Sequence, residues 1–256
     1  MSSLFSLAGR RALVTGATRG MGRAIAEQMA LAGADVVLSS NELDLPVAVA
    51  AEIAAMAGTR TLGLTCDIED TAAIDRLVAG ATDGFGGIDI LVCNAGANLH
   101  EGALTDISDE AFHRMVRINV ASTLRLCRHL LPGMATRRDG VVLVTSSISG
   151  LRGNKRIGGY GISKAANAQL VRNLAVEWGP SNIRVNAISP GLITTDFAKP
   201  ILEDAEYLPI RLAKTPLRRA GRPEEVAGIA VCLASPAGAF VTGQNIVIDG
   251  GTLISD

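Results

Sequence analysis

Cysteine and histidine are scarce in this chain, and the few present do not cluster. Cys66, Cys93, Cys127 and Cys232 form no CxxC pair, and each sits in an apolar run where a thiol behaves as a small hydrophobe. Reduced, structural thiols are expected rather than a disulfide framework. His100, His113 and His129 lack metal-ligand spacing, so no metal site is expected. A formal net charge of -1 leaves no excess of basic residues for a nucleic acid or an anionic membrane. The amino end has no basic region ahead of a long apolar run, and no uncharged apolar stretch approaches the length that crosses a bilayer. A cytoplasmic protein acting on a small molecule, with neither nucleic acid nor membrane as partner, is expected.

What the chain does have is apolar material. Hydrophobic residues make up 48% of its 256 positions and charged ones 19%, which is ample for one α/β domain with a large core. Short β-rich runs alternate with helical patterns: Ala12 to Val14, Val36 to Leu38, Thr61 to Leu64, Ile88 to Val92, Val141 to Val144, Ile183 to Ile188 and Ile246 to Ile248. Continuous apolar strands separated by helices imply a parallel sheet covered on both faces, the doubly wound Rossmann type. Helices are expected from about Met21 to Ala32 and, through an alanine-rich stretch, from about Leu45 to Ala57. No linker or internal repeat divides the chain, so a single domain over 1–256 is expected. Residues 192–216 are charged, contain prolines and follow a strand's carboxyl end, where open α/β sheets bind ligands; a substrate lid is expected there.

Thr15-Gly16-Ala17-Thr18-Arg19-Gly20-Met21-Gly22 follows the first strand and opens the first helix. Glycines in such a turn let the backbone approach a pyrophosphate, and the helix amino terminus adds unpaired amides. A dinucleotide is expected, although the spacing differs from GxGxxG. Many NAD-binding folds place an acid at the end of the second strand for the ribose 2′-hydroxyl. Here the stretch is Ser39-Ser40-Asn41-Glu42, with uncharged Ser40 at the expected position and Arg19 able to meet a 2′-phosphate. This points to NADP(H); a small register shift makes Glu42 the ribose acid and NAD(H) the coenzyme.

Tyr160 and Lys164 stand four positions apart in a helical segment, so the phenol and ammonium share a face roughly 6 Å apart along the axis. A neighbouring ammonium favours the phenolate, which suits acid-base work on one oxygen. The same pair also reads as a solvated helix surface.

Together these motifs resemble the short-chain dehydrogenase/reductase family over essentially the whole chain. Asn94-Ala95-Gly96 matches the stretch ending the fourth strand, Asn119 the helix asparagine of the catalytic tetrad, and Pro190-Gly191-Leu192-Ile193-Thr194-Thr195 the segment holding the nicotinamide. Ser147, 13 positions before Tyr160, matches the catalytic serine, with Ser146 and Ser149 as neighbours competing for the role. Cys93 and Ser40-Asn41 depart from the family pattern. The resemblance implies an NAD(P)-dependent oxidoreductase on ketones or secondary alcohols, with Asn119, Ser147, Tyr160 and Lys164 catalytic. Tyr160 would move the proton, Lys164 would lower its proton affinity and bind the ribose, Ser147 would hold the carbonyl, and Asn119 would fix a water. It further implies coenzyme contacts from Gly16, Thr18, Arg19, Gly20, Met21, Gly22, Ser40, Asn41, Asp67, Ile68, Asn94, Ala95, Gly96, Tyr160, Lys164, Pro190, Gly191, Ile193 and Thr195. Asp67 would accept from the adenine amino group or cap the following helix.

Arg152, Lys155 and Arg156 lie between Ser147 and Tyr160 and could attract an anion. Arg138 resembles one basic position of acyl-carrier-protein reductases, but the second, around Ser181-Asn182, is missing. A homotetramer is the family expectation. A sensor that binds NADP(H) without turnover is the alternative function.

Overall fold

Seven parallel strands, β1 (Arg11–Thr15), β2 (Asp35–Ser40), β3 (Thr61–Thr65), β4 (Ile90–Cys93), β5 (Gly140–Thr145), β6 (Ile183–Pro190) and β7 (Asn245–Ile248), form one sheet in the order β3-β2-β1-β4-β5-β6-β7. The structure, a computed structural model, describes residues 3–255; positions 1, 2 and 256 of the expected domain lie outside them. The doubly wound sheet expected from the apolar runs is present, with helices on both faces.

Side chains alternate along each strand, so one apolar run serves two cores. Val14, Leu38, Val92 and Leu143 face α1 (Gly20–Leu31), α2 (Leu45–Ala57) and α9 (Pro223–Ala234). Their neighbours Leu13, Val37, Leu91 and Val142 face α3 (Thr71–Phe85), α5 (Ser122–Arg137) and α6 (Gly158–Trp178). Register keeps each set in line: Val14 pairs with Leu38 and with Val92, and Val92 with Leu143. Between β4 and β5 the chain forms α4 (Asp109–Val116), one π turn at Arg117–Ala121, and then α5. Residues 192–216 contain a 3-10 turn (Asp196–Ala198) and two short helices, α7 (Lys199–Leu202) and α8 (Tyr207–Ala213). Among the described residues no helix is long and apolar enough to cross a membrane.

Chain order reverses between β1 and β4, and the loops leaving those two strands part to form a crevice at the carboxyl edge. The opposite edge is clamped by charge. Arg11 donates to Asp89 through Nε at 2.8 Å and Nη2 at 2.7 Å, and Arg137 Nη2 lies 3.1 Å from the same carboxylate. Burial presses the Asp89 carboxyl upward, but the hydrogen bonds and charge of Arg11 outweigh it and hold the carboxyl below its ordinary range. Asp89→Ala is expected to destabilise the fold by about 3 kcal/mol in urea denaturation, because it strands two guanidinium groups. The difference from wild type should be full above about pH 4 and close as acid protonates Asp89. A loss below about 1 kcal/mol would mean that water already serves both arginines.

Candidate active site

The glycine turn is braced from beneath by two side chains. Thr15 Oγ1 accepts from the amides of Asn94 at 3.1 Å and Ala95 at 3.2 Å. Asn94 Nδ2 donates to the carbonyls of Thr15 at 3.1 Å and Gly16 at 3.0 Å, while its Oδ1 accepts from Thr145 Oγ1 at 3.3 Å. Asn94 therefore ties β1, β4 and β5 together at their carboxyl ends, with its amide committed to the protein. The helix that follows has Arg19 as its N-cap with no side-chain cap, so the amides of its first turn are left without that partner.

A cleft of about 780 Å³ runs from this turn to Tyr160. Of the sequence-predicted coenzyme residues, Gly16, Thr18, Arg19, Gly20, Met21 and Gly22 line its floor, and Ser40, Asn41, Asp67 and Ile68 one end. Asn94, Ala95, Gly96, Tyr160, Lys164 and Thr195 line the remainder. Pro190, Gly191 and Ile193 lie instead along an adjoining cavity of about 530 Å³, which shares Tyr160, Thr195 and Phe197 with the cleft. Asp67 Oδ1 accepts from the Glu69 amide at 2.9 Å, and it is Asp70 that caps α3, through the Ala72 amide at 2.8 Å. The helix-capping alternative for Asp67 thus falls to its neighbour.

Glu42 lines the same cleft, beside Thr18 and Arg19. Its carboxylate accepts from Thr18 Oγ1 at 2.9 Å and from Arg19 Nη1 at 3.1 Å. The turn after β2 places this carboxylate in the cleft.

The three serines separate by direction. Ser146 is buried, its hydroxyl donating to the Lys164 carbonyl at 2.8 Å. Ser147 lines the cavity beside Tyr160 and accepts from the Ser149 amide at 3.1 Å. Ser149 also lines the cavity. The 3-10 turn Ile148–Gly150 packs directly on α6: a Cβ on Gly161 would sit 2.6 Å from the Ser149 carbonyl oxygen. This contact is why a glycine stands between Tyr160 and Lys164 in the helix.

Lys164 is 3% exposed, its Nζ donating to the Thr145 carbonyl at 2.7 Å and lying 5.5 Å from the centre of the Tyr160 ring. Burial lowers its pKa to about 8. The phenol departs from the sequence expectation. Burial pushes Tyr160 up to about 12, and the opposing influence is a hydrogen bond to Ser147 rather than the ammonium. Lys164 Nζ is directed at Thr145 and the ring face, and burial dominates the shift of the phenol.

Asn119 lies against the same helix. It is buried in the π turn; its Oδ1 accepts from the Ala97 amide at 2.8 Å, and its Nδ2 donates to the Ala97 carbonyl and to Ser163 Oγ, each at 2.9 Å. Ser163 Oγ in turn donates to the Tyr160 carbonyl at 2.8 Å. Through these contacts its side chain braces α6.

Of the basic cluster, Arg152 lines the cavity and Arg156 pairs with Glu101 at 3.0 Å. Arg138 donates to the Pro180 carbonyl at 3.2 Å, at the opposite edge of the sheet. Residues 192–216 add Phe197, tilted against the Tyr160 ring at 5.8 Å, and Tyr207 and Arg211 from α8. Beyond their place in the expected lid, the i, i+4 spacing of the last two is the signal the sequence held for them. Among the described residues no three His, Cys, Asp or Glu side chains converge as a metal site.

Comparison with known proteins gives a consistent picture. A family profile described as enoyl-(acyl carrier protein) reductase matches residues 16–252. The chain is 39% identical over 246 residues to "Dehydrogenase/reductase SDR family member 4" of Oryctolagus cuniculus, covering 96% of this chain and 94% of that one. It is 37% identical over 252 residues to "2-dehydro-3-deoxy-D-gluconate 5-dehydrogenase" of Pseudoalteromonas atlantica, covering 98% of each. A solved 7 alpha-hydroxysteroid dehydrogenase, complexed with NADH and 7-oxo glycochenodeoxycholic acid, superposes with a TM-score of 0.92 at 36% identity, covering 98% of this chain and 97% of that one.

Proposed function

The chain belongs to the short-chain dehydrogenase/reductase family and is an NAD(P)-dependent oxidoreductase acting on a CH–OH group, and we propose that Tyr160 is its proton-transfer residue. The observation that carries this is the meeting of Tyr160, Ser147 and Lys164 where the long cleft opens into the second cavity. The residues fit a nicotinamide coenzyme: the uncapped α1 terminus would receive the pyrophosphate, Ser40, Asn41 and Asp67 the adenosine, and Lys164 and Thr195 the nicotinamide end. Bound there, the coenzyme supplies or accepts a hydride. The balanced change is ketone plus reduced coenzyme plus a proton to secondary alcohol plus oxidised coenzyme.

Tyr160 gives its phenolic proton to the carbonyl oxygen in reduction and takes it back in oxidation. Ser147, held by the Ser149 amide, donates to the same oxygen and stabilises the charge developing on it. The buried Lys164 brings positive charge beneath the site without leaving Thr145. Asn119 and Ser163 set the position of the α6 backbone that carries Tyr160. Segment 192–216 serves as the lid, with Phe197 over the phenol ring.

For the coenzyme we read NADP(H), with Arg19 turning from Glu42 to the 2′-phosphate; the Glu42 carboxylate supports NAD(H) as a second reading, since it could accept from a 2′-hydroxyl. Titration with NADPH and NADH, and turnover with panels of ketones and alcohols, tests both levels. Arg19→Ala is expected to weaken NADPH about tenfold, the worth of one charge-assisted contact, and to leave NADH nearly unchanged. Equal loss for both coenzymes removes the case for the phosphate. Tight coenzyme binding with no turnover on any panel favours the sensor. A homo-oligomer is supported by exposed apolar side chains on α6 and near β7, namely Val176, Phe240, Val247 and Ile254.

A further inference from the structure

Two guanidinium groups in the cavity beside Tyr160 ion-pair with no carboxylate among the described residues. Arg211 is 9% exposed, and its Nη1 donates to the hydroxyls of Thr215 at 3.0 Å and Thr252 at 3.3 Å, both neutral partners. No hydrogen bond from a described residue engages its Nε or Nη2, and none engages the exposed Arg152. Nearby acids are already committed. Glu101, the one acidic side chain in the cavity wall among the described residues, holds Arg156 at 3.0 Å. Asp249 accepts from the amides of Gly251 at 2.8 Å and Leu253 at 2.6 Å. Burial, and after it the like charge of Arg152, press against the charge on Arg211.

A cation withdrawn from water calls for an anion. A guanidinium with free donors offers a carboxylate the planar fork that it binds best. The rest of the wall includes Leu99, Ile157, Phe197 and Ile201, which suit a hydrocarbon body, and about 530 Å³ is the scale of a small-molecule site. Resting on the reading of Tyr160 above, we propose that the substrate is a carboxylic acid, an oxo acid in one direction and a hydroxy acid in the other. Its carboxylate is held by Arg211 and Arg152 while its carbonyl meets Tyr160 and Ser147. Arg152 and Arg211 are specificity residues, and the proton and hydride balance is that of the parent reaction.

The test measures kcat/KM for levulinate and its one- and two-carbon longer homologues, each against its methyl ester, with the better coenzyme. The free acid is expected to exceed its ester at least about tenfold for the homologue whose length spans the cavity. Arg152→Ala and Arg211→Gln should each lower the acid-to-ester ratio by about tenfold. The ratio cancels any general loss of folded protein or coenzyme affinity, and the exposed position of Arg152 leaves at least one variant with an intact core. Esters turned over as well as acids throughout the series, or a ratio unmoved in both variants, would overturn the proposal while leaving the redox reading standing. Failure of acids and esters alike, with turnover of other ketones or alcohols intact, would overturn this inference and leave the redox reading standing; absence of turnover on every panel would overturn both.

Discussion

Tyr160→Phe is expected to lower turnover about a hundred- to ten-thousandfold, the usual worth of a positioned acid-base group, while coenzyme affinity stays within about twofold. Only an oxygen is lost. The ring keeps its contact with Phe197, Lys164 keeps the Thr145 carbonyl, and Ser163 still holds the residue's backbone. The pH profile supplies the second readout. A phenol held high by burial is protonated through neutrality, so it is ready as the acid for reduction and scarce as the base for oxidation. Wild-type reduction should be flat below the range in which Lys164 loses its proton, about 8, and oxidation should climb up to about tenfold per unit as the phenolate fraction grows. The phenylalanine variant should lose that climb. Near-full activity in the variant would move proton transfer to another group and remove the proposed mechanism.

Gly22→Ala should disable the cleft from its other end. A Cβ at this position would lie 2.1 Å from the Gly16 carbonyl oxygen and 2.4 Å from Asn94 Nδ2. Neither can withdraw cheaply, because Asn94 is fastened to β1 and β5, and Gly16 is hydrogen-bonded to that same amide. The turn must shift, and with it the uncapped amides of α1. An overpacking penalty of about 1–3 kcal/mol carried into binding weakens either coenzyme about 5- to 150-fold. Isothermal titration would register this, with urea denaturation as the control for folding. Unchanged affinity for both coenzymes would show that the phosphates do not sit on this turn. Loss confined to NADPH would instead implicate the ribose end.

The strand-helix alternation was legible because apolar runs buried on both faces leave few other arrangements. Even the alanine-rich segment, which a composition count could mistake for a linker, forms a helix at the expected bounds, Leu45–Ala57. Spacing also brought the glycine turn and Tyr160 into one cleft, since the ends of β1 and β4 are neighbours wherever the winding reverses. What stayed hidden depends on where a long side chain ends. The four-residue interval places Lys164 on the face of Tyr160, yet only the packed structure sends its Nζ to Thr145. Arg19 and Glu42 are 23 positions apart and meet through a loop with no regular period. Arg211 lies on a helix of 7 residues, too short to announce itself by periodicity.

The π turn at Arg117–Ala121 makes the helix before it and the helix after it keep different phase. Each residue of an α-helix advances about 100°, so one surplus residue lets α4 present one stripe to α6 while α5 aims another at α3. A length-preserving substitution there is a local matter. A one-residue deletion would rewind the segment and swing Asn119 off Ala97, so insertions and deletions within these five positions should be far rarer among functional variants than point changes.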